Sequence, residues 1–177
     1  AWDEELIELF GIPRGALPVI SDCAGDLGST TLLGGSIAIT GSIGDQQAAA
    51  VGQACLQPGM AKATYGTGIF VLAHSGPTPP VSHHRLLATV AWRIAGQATY
   101  AVEGSIFIGG AAVQWLRDGL GIIATSAETE ALAASVQDSG GVVLIPAFAG
   151  MGAPHWRPDV RGLLTGLSGG TTRAHIA

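Results

Sequence analysis

Asp45 and Gln46 head an alanine-rich run, Gly44-Asp45-Gln46-Gln47-Ala48-Ala49-Ala50. Further on, Gly66-Thr67-Gly68 separates two strand-like runs, Ala61 to Tyr65 and Ile69 to His74. The first stretch puts a carboxylate at the mouth of an apolar helix, where it can take a proton. The second makes a glycine-flanked turn whose backbone can come close to a phosphate. A proton acceptor beside such a turn is what phosphoryl transfer to an alcohol requires.

Each feature also has a plainer reading. Aspartate is a favoured helix N-cap, and capping alone explains an Asp before an alanine-rich helix. A strand-to-helix junction is equally where sheet enzymes place ligands, beyond the carboxyl ends of the strands. One carboxylate cannot fully serve both roles. Gly66-Thr67-Gly68 read alone is a hairpin turn. His83 and His84 close a proline-rich loop, Ser75 to Ser82, and no third ligand near them points to a metal site.

The elements that must position these residues follow from periodicity and punctuation. Trp2 to Phe10 is amphipathic and stopped by Gly11 and Pro13. Pro18 to Ser21 reads as a short strand, Cys23 to Gly35 as a loop, and Ile37 to Gly41 as a buried strand. Gln46 to Ala54 is helical by propensity. Leu86 to Ile94 and Gln97 to Val102 form a second strand pair around Ala95-Gly96. Ser105 then caps a helix from Ile106 to about Leu120, with Gly110 and Gln114 on one face. Two glycines inside that helix, Gly109 and Gly110, imply a closely packed neighbour or a flat ligand, since each costs about 1 kcal/mol relative to Ala. Ser126 to Asp138 is a helix capped by Thr125 or Ser126, Val142 to Pro146 a buried strand, and Phe148 to Arg157 a glycine- and proline-bearing loop. Leu163 to Leu167 is a strand, and Thr171 or Thr172 caps a last helix. The order of elements is that of an α/β protein.

Composition narrows the function classes. The 177 residues are 47% hydrophobic and only 12% charged, so a sizeable core is within reach and some apolar face should meet a partner or a further part of the protein. A net charge of −5 argues against a nucleic-acid footprint. Cys23 and Cys55 are far apart and read as reduced thiols, which fits a reducing, cytoplasmic setting. No secretory leader or membrane-spanning run is expected. The chain opens and closes inside apparent helices, as a piece of something longer would.

A string of motifs resembles the FGGY carbohydrate kinases. They are Gly44 to Ala49 with Gly52-Gln53, Pro58 to Lys62 running into Thr64-Tyr65-Gly66-Thr67-Gly68, and Glu103 to Phe107. Gln114 to Asp118, Pro146 to Gly150, Gly152 to Pro154, Trp156 to Asp159, Arg161-Gly162 and Gly166-Leu167 complete it. Order and spacing agree over nearly the whole chain after Ile37. The resemblance implies a partial ribonuclease-H-like, actin-like ATPase fold, with residues 1–55 ending the first, substrate-side domain and 61–177 opening the second, nucleotide-side domain. It runs nearest to the members that phosphorylate glycerol, and it implies ATP and Mg2+ as cofactors. By position, Asp45 corresponds to the general base, and Gln46 and Phe70 to substrate ligands. Gly66, Thr67 and Gly68 correspond to the turn that meets the ATP phosphates, and Gly110 and Gln114 to part of the nucleotide pocket. No residue here corresponds to a metal ligand. Glycerol and ATP/ADP are the implied partners, and the full-length protein is expected to be a homo-oligomer. The family's first phosphate loop and late adenine motif are absent, and the chain amounts to about a third to two-fifths of a two-domain kinase. Alone it is expected to be inactive. The rival readings are a kinase of another polyol or sugar, such as a pentulose, and a non-catalytic actin-like module binding a nucleotide or a partner.

Overall fold

The computed structural model describes residues 2–177; Ala1, the first residue of the expected first-domain segment, lies outside the described residues. Helix α1 covers Glu4–Leu9, and the Asp3 side chain caps it by accepting from Leu6 N at 3.0 Å. Gly11, at φ +62°, takes the chain out of the helix, as the Gly-Pro punctuation predicts. The expected strand at Pro18 to Ser21 does not form. Instead two-residue strands β1 (Ser29–Thr30) and β2 (Ile37–Ala38) pair antiparallel. The Ile37 run is exposed rather than buried, since Ile37 and Ile39 keep about two-fifths of their surface. Among the described residues no helix or longer strand covers so short a pair.

Helix α2 (Asp45–Gly52) leads into the main sheet. That sheet joins β3 (Ala61–Tyr65), β4 (Ile69–Gly76), β5 (Leu87–Ile94) and β6 (Gln97–Ile106) in the order β3-β4-β6-β5, antiparallel throughout. Both expected hairpins are present. The second reaches further than its sequence suggests: Glu103, Gly104, Ser105 and Ile106 pair with Leu72, Val71, Phe70 and Ile69. Ser105 is therefore a buried strand residue, not a helix cap. The ladder with β4 outweighs local turn propensity there, because each residue gains a backbone partner on a covered strand.

The helix expected from Ile106 starts only at α3 (Gly110–Gln114), with Gly109 as N-cap. It continues as a π-helical turn over Trp115–Gly119, in which Leu120 N donates to the Trp115 carbonyl at 2.9 Å. Helix α4 is shorter than expected, Glu128–Ala134, and neither Thr125 nor Ser126 caps it. Glu128 folds back to accept from Ala124 N and Thr125 N, both at 3.1 Å. Strands β7 (Val143–Ile145) and β8 (Leu163–Thr165) pair antiparallel, and Thr172 caps α5 (Arg173–Ile176) as expected. Among the described residues no helix is long and apolar enough to cross a membrane.

The core lies where α2 covers the main sheet. Ala50 and Cys55 meet Leu72, Ala91 and Ala101, with Trp92 packed at the margin.

Candidate active site

Alternation along the strands sorts the sheet's side chains onto two faces. Lys62 pairs with Leu72 and Leu72 with Glu103; Thr64 pairs with Phe70 and Phe70 with Ser105. Residues directly opposite each other share a face, and so do residues two apart. Lys62, Thr64, Phe70, Leu72, Glu103 and Ser105 therefore line one face, and α2 packs over its β3–β4 side.

The head of α2 meets this face. Gly44 is the N-cap and contributes no side chain, so Asp45 is the first helical residue and its carboxylate meets one of the free first-turn amides. Its Oδ1 accepts from Gln46 N at 2.8 Å, and the carboxylate is exposed. Gln46 is half-buried and turns inward, where its Oε1 accepts from Lys62 Nζ. Lys62 is only 2% exposed. Its ammonium also donates to Thr64 Oγ1 at 2.7 Å, and it makes no ion pair among the described residues. Burial pushes the Lys62 pKa down from its ordinary value, while the nearby carboxylates of Glu103 and Asp45 pull it back up. Beside it, Ser105 Oγ donates to Glu103 Oε1 at 3.0 Å.

The turn between β3 and β4 forms a second cluster. Gly66 N donates to the Gly68 carbonyl at 2.9 Å. The Gly66 carbonyl accepts from Gly110 N at 2.8 Å, and the Thr67 carbonyl from Gly109 N at 2.7 Å. The first amides of α3, which a helix leaves without internal partners, are thus satisfied by the turn. This contact explains both helix-start glycines. A Cβ at Gly110 would lie 2.8 Å from the Gly66 oxygen, and one at Gly109 would lie 2.6 Å from Ile69 Cγ1. The structure brings Gly66, Thr67, Gly68 and Gly110 together, with Thr67 exposed. Gln114 stands exposed at the far end of α3 and bonds to none of them. Phe70 falls between the clusters, facing Thr64 and Ser105. From Lys62 to Gly66 the rise of β3 separates the clusters by about 13 Å.

Among the described residues no three metal-ligating side chains converge. No step is assigned to the Mg2+ that the resemblance implies.

The hairpin sheet, with a helix on one face and a glycine turn locked to the next helix, is part of the actin-like ATPase fold. Residues 61–177 match the FGGY family of carbohydrate kinases, C-terminal domain, and the chain belongs to that family. A glycerol kinase of Xanthobacter autotrophicus is 56% identical over 179 residues, and one of Bordetella pertussis 58% identical over 182. These alignments take in 100% and 99% of this chain but 36% of each relative, so the chain spans little more than a third of their length. Among solved structures, Plasmodium falciparum glycerol kinase with ADP superposes with a TM-score of 0.87 at 36% identity, over 99% of this chain and 36% of that one. Xylulose kinase from Rhodospirillum rubrum superposes with a TM-score of 0.75 at 27% identity, over 98% and 36%.

Sequence reasoning passed over Lys62 and the Glu103–Ser105 pair. A signal for Lys62 was present: a charged residue two before Thr64, hence on the same face of an expected strand. A lysine at an inward strand position needs a polar partner, and that partner comes from a different element.

Proposed function

We propose that this chain is part of an ATP-dependent glycerol kinase, which moves the γ-phosphoryl group of ATP to a terminal hydroxyl of glycerol and yields glycerol 3-phosphate. The observation that carries this reading is the seating of Asp45 and Gln46 at the head of α2, over a sheet face that also holds Phe70. The names of the relatives at 54–58% identity support the substrate.

Asp45 takes the proton from the attacking hydroxyl. Its exposed carboxylate keeps one oxygen on Gln46 N and leaves the other free for the alcohol. Gln46 binds a substrate hydroxyl, and Phe70 offers an apolar wall to the carbon chain. The Gly66-Thr67-Gly68 turn, held by α3, faces the ATP phosphates through Thr67, while Gly110 and Gln114 border the nucleotide. ATP supplies the phosphoryl group. The transition state is loose, so the protein's share is positioning and charge stabilisation. Residues 1–55 end the substrate-side domain and 61–177 open the nucleotide-side domain, so the reaction needs the remaining length of the protein. The free thiols of Cys23 and Cys55 support a cytoplasmic setting.

The test is ADP release by the full-length protein with glycerol, a pentulose or no acceptor. Glycerol-dependent release, with glycerol favoured over the pentulose, is expected. Preference for the pentulose moves the protein to another branch of the family, and acceptor-independent nucleotide binding without turnover favours a non-catalytic module.

A further inference from the structure

We infer that Lys62 is a positioning residue that sets the side-chain amide of Gln46, holding its oxygen inward and presenting its NH2 group to the acceptor alcohol. This assignment rests on the reading of Gln46 as a substrate ligand.

The argument is one of donors and acceptors. An ammonium carries three donors and no acceptor, so only the Oε1 of Gln46 can face it. A flipped amide would set NH2 against NH3+ in a buried site, where an unmet donor is costly. Lys62 thereby removes the ambiguity that a free glutamine has. What remains of Gln46 is a donor pair, and a donor suits an alcohol whose own proton goes to Asp45. The lysine is itself fixed: it is 2% exposed and Thr64 Oγ1 takes a second of its protons at 2.7 Å. Its bonded partners are neutral oxygens, so the cost of burying its charge is met by hydrogen bonds and by the more distant carboxylates of Glu103 and Asp45. A lysine kept for packing alone would carry that cost for nothing, since an apolar side chain would fill the place opposite Leu72.

The experiment is a double-mutant cycle in the full-length enzyme: Lys62→Met, Gln46→Ala and both, with KM measured for the acceptor polyol and for ATP. Lys62→Met is expected to raise the polyol KM about tenfold and to leave the ATP KM within about twofold. In the Gln46→Ala background it adds less than about twofold. An equal rise in both backgrounds means that Lys62 acts by packing, and overturns the assignment. Gln46→Glu provides a second route if Lys62→Met does not fold. It keeps an acceptor for Lys62 and turns the outward NH2 donor into an acceptor oxygen that carries negative charge. A polyol KM raised about tenfold with an undiminished melting temperature supports the assignment, and an unchanged KM overturns it. Absence of turnover by the wild type on any polyol overturns the functional reading and this assignment together. Additivity in an active enzyme overturns this one alone.

Discussion

Residues 2–44 and the unit from α2 to β6 differ in which side chains they cover. In the first stretch Val19 and Leu32 are each 92% exposed. In the second a lysine is 2% exposed. Hydrophobicity alone would reverse that order. The difference lies in long-range pairing: the first stretch has two strands of two residues each, while β4 is flanked on both edges and roofed by α2. Burial is conferred by what covers a residue, and a polar side chain can be covered if its donors are met.

Among the described residues one ion pair, Asp22 with Arg93, joins the two regions. Asp22 accepts from Arg93 Nε and, at 2.8 Å, from Gly96 N, while Cys23 N donates to the Arg93 carbonyl at 2.7 Å. The Gly96 amide and the Arg93 guanidinium hold the Asp22 carboxyl below its ordinary pKa.

If the site belongs to the second region, substitutions there should dominate activity. Asp45→Asn in the full-length enzyme should lower kcat about 10²–10⁴-fold with little change in ATP affinity, whereas Asp26→Asn, in the first region, should leave kcat within about twofold. Near-normal turnover by Asp45→Asn would separate the chemistry from α2. Stability should divide in the same way. Leu72→Ala should cost about 2–5 kcal/mol by denaturant unfolding, and Leu32→Ala less than about 0.5 kcal/mol. Equal losses would mean that Leu32 is covered in solution.

A pH series sharpens the contrast. The folded protein sheds the Lys62 proton at a lower pH than the unfolded chain, whose lysines titrate near 10.5. The unfolded state therefore holds more protons just below pH 10.5, and stability should rise with pH in that window. Lys62→Met should flatten the rise; a denaturant midpoint unaffected by the substitution would place the ammonium in solvent. The smallest effect concerns the tie. Asp22 stays ionised below its ordinary 3.8 in the folded state, so its contribution is full above that value and is lost as pH falls through the lowered one. Asp22→Asn should remove this acid-limb slope and loosen residues 2–44, read as faster amide exchange there than in β4 and β6.

The hairpins, α1, α2 and the Thr172 cap were legible in the sequence because their signals are local: alternation, a glycine turn, a capping residue. Asp45, Gln46 and Phe70 were singled out by the family resemblance, and their meeting at one sheet face came from the strand register. Ser105 misled, since a serine before an apolar run looks like a cap until a ladder with β4 claims it. Gly110 admitted packing or a ligand, and the structure provides the packing partner in Gly66.

The sequence by itself carried the class of fold and the family, through motifs strung along nearly the whole chain, and it offered candidates for proton and phosphate chemistry by residue type and local spacing. Tertiary structure alone decided that Lys62 holds Gln46 and that the turn caps α3. Those outcomes depend on which segments far apart in the chain come to lie against each other, and no local pattern encodes that.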